Sequence, residues 1–481
     1  MRSRESVCGR CLHSLERLLA LCVVLLLITT TSEPAEAQQA LVLSGGGARG
    51  IAHAGVVRAL DSLGVDPRIV VGTSMGAVVG ALYATGLDGA DVWSETVDQP
   101  WSRLFDPMAY ADGPGGQVRA AVLRVHLGPG RSRSRKGFIP EWRINRRLSR
   151  IFLRPGVEAG GDFDRLPRRF RSVAVDLETG EAVVLGRGDL ARAVRISMAI
   201  PGVFAVATEG GRILADGGVA NYLPVGVARA MGAQTVVGSD VVRPTRPLDP
   251  LTPATIGSRG FRWLNVNARD DATRAERTIY PDLDPTVTSA SFLSDTESIA
   301  RDGYEAVLSF TDLPSRDDRT GDPVSAAPTS LAPDSIVGLS VTGAGPGLER
   351  LVRAAFPSLG EYDPERILLA ADRLYATGLF DAVWPSVGLR DRAGGGERLV
   401  VAVEPVASSQ VVGGGGYDSD RGGAVWGGIR HRSALSGIPL ALTANGTLTE
   451  WMRAGNGKID VFLPRLLPIS VVAEGHVVET E

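Results

Sequence analysis

Beyond its first 37 residues the sequence contains no cysteine: Cys8, Cys11 and Cys22 are all it has. That excludes a disulfide framework, a thiol nucleophile and a cysteine-ligated metal from the rest of the chain. Histidine is almost as scarce, with only His53, His126, His431 and His476 after that point. Aromatic residues make up 6% of the chain, and the formal net charge is only -3. So balanced a charge gives no basis for a nucleic-acid partner. Glycine is abundant instead, at 59 residues, which predicts many turns and close backbone approaches. A length of 481 residues suggests about two or three domains.

Residues 1–37 read as a secretory signal peptide. Arg2, Arg4 and Arg10 make a basic start, Leu18 to Ile28 is an uninterrupted apolar run, and Ala35-Glu36-Ala37 is a small-x-small cleavage site. The mature chain would then begin near Gln38. The alternative is an uncleaved anchor, but the run falls short of the ~20 residues that a membrane span needs.

Three regions follow. The first, 38–325, alternates short apolar strands with helical patterns. Ala40 to Leu43 and Ile69 to Val71 are strands; Val56, Val57, Leu60 and Leu63 recur at helical spacing, and Met75 to Ala84 is a small-residue helix. Ser172 to Leu177 and Glu181 to Leu185 predict a hairpin around Glu178-Thr179-Gly180, and Ile213 to Ala215 and Thr235 to Val237 are further strands. Strands separated by helices imply an α/β fold with a mainly parallel sheet. A stretch rich in Pro, Asp, Ser and Thr from Leu313 to Pro333 marks a linker, bounded at 326–334. The basic run Arg131 to Lys136 reads as a solvated loop, with a contact to anionic lipid headgroups as the other reading.

In the second region, 335–405, Ile336 to Val341 is a strand, a short helix spans Leu348 to Phe356, and Asp363 caps a helix with Pro364 at its first position and Gly378 past its end. Strands near Ser386 to Leu389 and Arg398 to Val403 close the unit. This β-α-α-β-β order resembles a POTRA module; an unrelated small α+β domain is the alternative. The third region, 406–481, alternates with period two between glycine-rich turns, as in Val425 to Arg430, Leu440 to Ala444 and Ile459 to Leu463. Such segments suit the strands of a membrane barrel, but only about four or five fit here, and barrels begin at about eight. The expectation is the first strands of an incomplete barrel, either a fragment of a longer protein or one share of a homo-oligomer; the fragment is favoured because Glu481 falls mid-pattern.

Two glycine-rich junctions carry chemistry. Gly45-Gly46-Gly47-Ala48-Arg49-Gly50 sits between a strand and a helix, where amides converge at the positive end of the helix. Such a cradle suits a dinucleotide pyrophosphate or a developing oxyanion. A dinucleotide fold expects an acid at the end of the second strand, and none stands at Ile69-Val70-Val71-Gly72-Thr73-Ser74. The second junction, Gly72-Thr73-Ser74-Met75-Gly76, places a serine on a strand–turn–helix corner, the setting of a nucleophile elbow. The alternative is a buried, hydrogen-bonded serine in a glycine turn.

A serine nucleophile needs a base. His126 lies beside a Gly/Arg-rich loop with no strand expected before it, and His53 lies one step into the first helix among small residues, where packing or a hydrogen bond near the loop is its plain reading. A carboxylate acting directly on the serine is simpler. Asp216 follows the strand Arg212 to Ala215 and opens Asp216-Gly217-Gly218, whose glycines allow close backbone approach. Taken alone, Asp216 reads as a turn residue.

Together, the glycine loop, Gly72-Thr73-Ser74-Met75-Gly76 and Asp216-Gly217-Gly218, in this order, resemble the patatin-like phospholipases. Ile196 to Phe204 and Val175 to Glu181 are similar to family segments too. The resemblance covers roughly residues 38 to 310. It implies a three-layer α/β/α fold, a Ser74/Asp216 dyad as nucleophile and proton acceptor, and an oxyanion loop of Gly45, Gly46, Gly47, Ala48, Arg49 and Gly50. It also implies ester hydrolysis of phospholipids at a membrane surface with no metal or other cofactor. The whole layout resembles a bacterial group with signal peptide, patatin domain, POTRA module and outer-membrane barrel. That implies export to the outer membrane or periplasm, with display or release of the lipase. Competing readings are a general esterase or thioesterase, and an outer-membrane transport or assembly protein with a vestigial hydrolase domain. Met198, Ile200, Val203 and Phe204 are candidates for an acyl groove, with core packing as their plainer role.

Overall fold

The structure, a computed structural model, describes residues 38–105, 123–127, 139, 141–242, 274–284, 286–288, 292, 295–310, 329–356, 360–388, 397–406, 408–418, 422–435, 438–449, 453–461 and 469–473. The expected signal peptide, the basic run and residues 326–328 of the expected linker lie outside these residues.

The first sheet contains β1 (Gln39–Leu43), β2 (Ile69–Thr73), β4 (Arg169–Asp176), β5 (Ala182–Leu185), β6 (Ala207–Glu209), β7 (Arg212–Asp216), β8 (Thr235–Ser239) and β9 (Arg277–Ile279), in the order β6-β7-β4-β2-β1-β8-β9 with β5 on β4. Strands β4, β2, β1, β8 and β9 run parallel; β5, β6 and β7 pair antiparallel. β1 and β2 are buried along their whole length, as expected for parallel strands covered on both faces. Leu41, Leu43 and Val70 join one core cluster, while Ala40, Val42, Ile69 and Val71 join another. The alternation shows that both faces are covered, and with it the three-layer α/β/α arrangement.

On the first face lie α1 (Ala52–Ser62), α2 (Met75–Ala84), α3 (Gly89–Val97), α4 (Trp101–Leu104), α5 (Trp142–Glu158), α6 (Leu190–Ser197) and α8 (Thr296–Leu308); α7 (Val225–Ala230) covers the second. α2 is apolar on every side and wholly buried. Asp88, Asp189 and Asp295 each cap a helix with the side chain. α1 and α8 cross at glycines: a Cβ on Gly55 would stand 1.8 Å from the Ala300 carbonyl oxygen, and one on Gly303 1.9 Å from that of Ala52.

The second unit is the sheet β11-β10-β13-β12, with β10 (Ser335–Thr342), β11 (Gly360–Glu361), β12 (Phe380–Val387) and β13 (Glu397–Pro405), carrying α9 (Pro346–Ala355) and α10 (Pro364–Ala376). Asp363 caps α10, and Gly378 beyond its end has a φ of 66°. β12 begins at Phe380 rather than near Ser386: Phe380, Ala382, Val383 and Trp384 are all buried, so the strand lacks the alternation that marks a half-exposed one. The unit is docked through α5. Ile144, Leu148 and Phe152 pack into the first core, and Leu153 and Val157 into the second. Arg146 and Arg150 of α5 both pair with Asp372 of α10. The tail of the expected linker is tied to the same helix, with the Leu331 amide donating to the Glu158 carbonyl at 2.8 Å.

The third sheet is antiparallel, in the order β18-β17-β16-β15-β14-β3, with β14 (Ser409–Asp418), β15 (Gly422–Leu435), β16 (Ile438–Thr449), β17 (Arg453–Val461) and β18 (Ile469–Ala473). Its sixth strand, β3 (Leu123–Leu127), comes from the first region and corrects the expectation that no strand surrounds His126; Gln410 of β14 is opposite that histidine. By register, Val425, Ile429, Leu442 and Ile438 share one face, where all four are exposed. No helix among the described residues is long and apolar enough to cross a membrane.

Candidate active site

Strand pairing alone brings the two ends of the site together. β2 pairs with β4 up to Thr73 opposite Val173, and β5 pairs with β4 from Ser172 to Val175. β7 pairs with it from Ala174, opposite Asp216, to Asp176. β5 overlaps both partners along β4, so β2 and β7 must lie on the other side of β4 and share it. They run toward each other and stop on adjacent rungs. Ser74, one residue past β2, therefore meets Asp216, the last residue of β7. Ser74 Oγ donates to Asp216 Oδ2 at 2.7 Å.

Ser74 has φ 55° and ψ -123°, and it is the one non-glycine residue with positive φ among the described residues. Such a conformation costs on the order of 1–3 kcal/mol and persists only where the surroundings enforce it. Enforcement comes from crowding on both sides of the turn. A Cβ on Gly72 would stand 2.2 Å from the Gly76 carbonyl oxygen, and one on Gly76 2.4 Å from that of Leu43. The Ser74 amide donates to Ser197 Oγ at 3.0 Å, and Ser197 Oγ donates to the Val173 carbonyl at 2.5 Å. On the acid's side, a Cβ on Gly217 would stand 2.2 Å from the Val173 oxygen. The Gly218 amide donates to Asp216 Oδ1 at 2.7 Å. Both oxygens of the carboxylate are thus engaged, and it is held at a fixed angle to the serine.

Ser74 is 5% exposed and Asp216 3%. Burial pushes the Asp216 carboxyl up to about 6, against the opposing effect of the Ser74 hydroxyl, the Gly218 amide and the positive charge of Arg195. A carboxylate of that basicity, in contact with a hydroxyl, can take its proton near neutral pH.

The glycine loop leads from β1 into a 3-10 turn, Gly47–Ile51. Gly47 has φ 56°, and a Cβ on Gly46 would stand 2.4 Å from Val241 Cγ2. Gly50 backs directly on Met75, with 2.5 Å from a Cβ there to the Met75 Cβ; Ala48 is buried. Within the expected six-residue cradle, the Gly45 amide and the Arg49 side chain have partners in the fold. The Gly45 amide donates to the Tyr222 carbonyl at 3.0 Å, and Arg49 Nε donates to the Val287 carbonyl at 2.9 Å. Gly46 and Gly47 are partly exposed, and no described residue accepts a hydrogen bond from their amides.

His53 takes its plain reading. Its ring bridges Ser239 Oγ and the Ser44 carbonyl, at 2.9 Å each, and burial lowers it to about 4. It is neutral and braces the loop from behind. Met198 and Phe204 are buried in the first core, with Phe204 5.6 Å from the Phe105 ring, so core packing describes them. Ser197 and Arg195 escaped the reading of single residues: a serine and an arginine on an amphipathic helix look like ordinary polar positions until β4 and α5 are laid against them.

A family model described as patatin-like phospholipase matches residues 41–229. An uncharacterised NTE family protein of Mycobacterium tuberculosis (strain ATCC 25618 / H37Rv) is 34% identical over 237 residues, 48% of this chain and 55% of that protein. Patatin-like phospholipase domain-containing protein 6 of Mus musculus is 32% identical over 204 residues, 42% of this chain and 13% of that protein. The chain thus spans about half the length of the mycobacterial relative. Among solved structures, VipD from Legionella pneumophila aligns with a TM-score of 0.33 at 14% identity, over 58% of this chain and 67% of that one.

Proposed function

We propose that this chain, whose residues 41–229 match the family model of patatin-like phospholipases, is a serine lipid acyl hydrolase working through a Ser74/Asp216 dyad. The observation that carries the reading is the 2.7 Å bond from Ser74 Oγ to Asp216 Oδ2 at a buried, strained corner. In the first step Ser74 Oγ attacks the ester carbonyl while its proton passes to Asp216. The Gly46 and Gly47 amides receive the oxyanion, and the tetrahedral intermediate expels the alcohol, which takes the proton from Asp216. In the second step water gives a proton to Asp216 and attacks the acyl-enzyme. Collapse frees the fatty acid, and the proton returns to Ser74 Oγ. Loss of one oxyanion donor typically costs ~10²–10³ in rate.

Export and an outer-membrane or periplasmic site belong to the same proposal, as do a POTRA-like second unit, membrane contact and a barrel completed by further strands. They are supported by the leader-like residues 1–37, the strand-helix order of the second unit, and the exposed apolar face of the third sheet. The test is a lipid panel, long-chain phospholipids beside short-chain esters and thioesters, run on wild type and Ser74→Ala with fluorophosphonate labelling. Hydrolysis and labelling lost together in Ser74→Ala support the nucleophile, and unchanged labelling rejects it. A preference for short esters over phospholipid would make the protein a general esterase.

A further inference from the structure

Arg195 is a buried cation that the two-residue dyad does not use. Its side chain is 6% exposed and pairs with Glu141 Oε1 at 2.6 Å, itself 10% exposed. Its Nε donates to Asn145 Oδ1 at 3.1 Å, and its guanidinium lies 4.9 Å from the centre of the Phe204 ring. Glu141 also accepts the Ala205 amide. A charge pair this far from water is costly unless it is fully bonded, and breaking one half strands the other. A plain amphipathic helix such as α6 does not need it.

Two features give the cluster a direction. Arg195 lies two residues before Ser197, which holds the Ser74 amide, and its charge acts on Asp216. On its other side Asn145, 1% exposed, spends its Nδ2 on the Asp381 carbonyl of β12 at 2.9 Å. One asparagine on α5 therefore ties the second unit to the guanidinium of the helix whose Ser197 holds the Ser74 amide. Trp384 of β12 and Glu404 of β13 close the same small cavity, whose charged walls are Glu141, Arg192, Arg195 and Glu404.

We propose that Arg195 is a positioning residue for the dyad, and that the second unit holds it in place through Asn145, so that the chemistry at Ser74 depends on the docking of residues 335–405. This rests on the dyad reading. The second unit would then be part of the catalytic apparatus rather than a passive neighbour: when Asn145 keeps its bonds to Asp381 and Arg195, α6 keeps its place, Ser197 keeps the Ser74 amide, and the Arg195 charge continues to oppose the burial that raises Asp216. Around Arg195 the titrating groups are Glu141 from the start of α5, Arg192 on its own helix and Glu404 from β13; at Asp216 itself, Arg195 supplies the opposing charge.

The test is a titration of the full-length chain labelled with [4-13C]aspartate, in which the Asp216 resonance is assigned by its loss in Asp216→Asn. This reads the carboxyl directly and needs no turnover. Arg195→Met paired with Glu141→Gln removes both charges and strands neither; it is expected to move the Asp216 midpoint upward. Arg195→Lys keeps the charge and holds the midpoint near wild type. Asn145→Leu falls between the two, and Arg192→Met leaves it in place. In parallel, kcat at pH 7 falls about tenfold in the double variant with KM little changed, the signature of a poorly ionised base rather than of lost binding. An unmoved midpoint in the double variant, or an equal shift in Arg192→Met, overturns the proposal; an unmoved midpoint in Asn145→Leu overturns the role of the second unit. Failure of the wild type to hydrolyse any ester would instead reject the proposed function, while the titration still decides this one.

Discussion

The hydroxyl of Ser197 stands between Ser74 and the backbone of β4, accepting the Ser74 amide at 3.0 Å and donating to the Val173 carbonyl at 2.5 Å. The arrangement fixes the first atom of the elbow to the same strand that carries Asp216 on its next rung. Ser197→Ala leaves both a buried amide and a buried carbonyl unpaired, which costs about 1–3 kcal/mol. It is expected to lower the thermal midpoint and to depress kcat more than it raises KM, because the serine loses its aim rather than its substrate. Differential scanning calorimetry and steady-state hydrolysis check both; an unchanged kcat in a folded variant would show that the elbow holds itself.

Strain at the elbow separates two variants that are both expected to be inactive. Ser74→Ala removes the proposed nucleophile but keeps a Cβ at φ 55°, so the strain stays. Ser74→Gly removes the nucleophile and the strain together, and it is expected to be more stable than Ser74→Ala, less the usual entropic cost of glycine of roughly 0.5–1 kcal/mol. Both should lose at least about a thousandfold in kcat. Denaturant midpoints rank them; a glycine variant less stable than the alanine one would mean that the elbow carries little strain.

The crossing of α1 and α8 has no room for a side chain. Gly303→Ala would set a methyl 1.9 Å from the Ala52 carbonyl oxygen, a clash with backbone that no rotamer relieves. Overpacking of this kind costs typically 1–3 kcal/mol, and α1 follows directly on the glycine loop. Gly303→Ala should lower stability and also slow hydrolysis by shifting the Gly46 and Gly47 amides. Gly180→Ala is the control: it sits in a turn with open space around it, and its φ of 75° makes it strained without crowding anything. It should cost stability alone.

Much of this was legible in the residues. Periodicity located β1, β2, α1 and α2, because buried parallel strands and an apolar helix leave continuous runs. The site was legible as two glycine-flanked corners, since only glycines tolerate the approaches at Gly72, Gly76 and Gly217. β3 was not, because its pairing to β14 joins residues 123–127 to 409–413 and no local pattern records so distant a partner. Nor was the division of labour within the glycine loop. The motif treats Gly45 to Gly50 alike, whereas Tyr222 and Val287, both remote in sequence, take the Gly45 amide and the Arg49 side-chain Nε. Arg195 and Asn145 were illegible for the same reason: their meaning lies in what α5 and β12 bring to them.

Asp216 and His53 make opposite demands on pH. Asp216 is raised from 3.8 to about 6 by burial, so the folded chain keeps a proton that the unfolded chain gives up. The stability this group supplies is complete below 3.8 and is lost as pH climbs through 6. His53 is lowered from 6.5 to about 4, again by burial, so the unfolded chain takes up a proton that the folded chain refuses. Its contribution is complete above 6.5 and is lost as pH falls through 4. At about 1.4 kcal/mol per tenfold change in proton affinity, each effect is on the order of 3 kcal/mol. Between pH 4 and 6 the two slopes oppose each other and are hidden in the wild type. Single variants expose them. Relative to wild type, Asp216→Asn should gain stability as pH rises from 4 to 7, whatever constant offset the amide introduces, while hydrolysis is lost. His53→Gln should gain relative stability as pH falls across the same range, with activity reduced only as far as the loop loses its brace. Chemical denaturation at closely spaced pH values measures both difference curves, and two curves of the same sign would contradict the buried placement of one of these residues. Wild-type hydrolysis should fall away below about pH 6 as Asp216 takes up its proton, and that acid limb should coincide with the pH at which the Asp216→Asn stability gain levels off, since one carboxyl sets both.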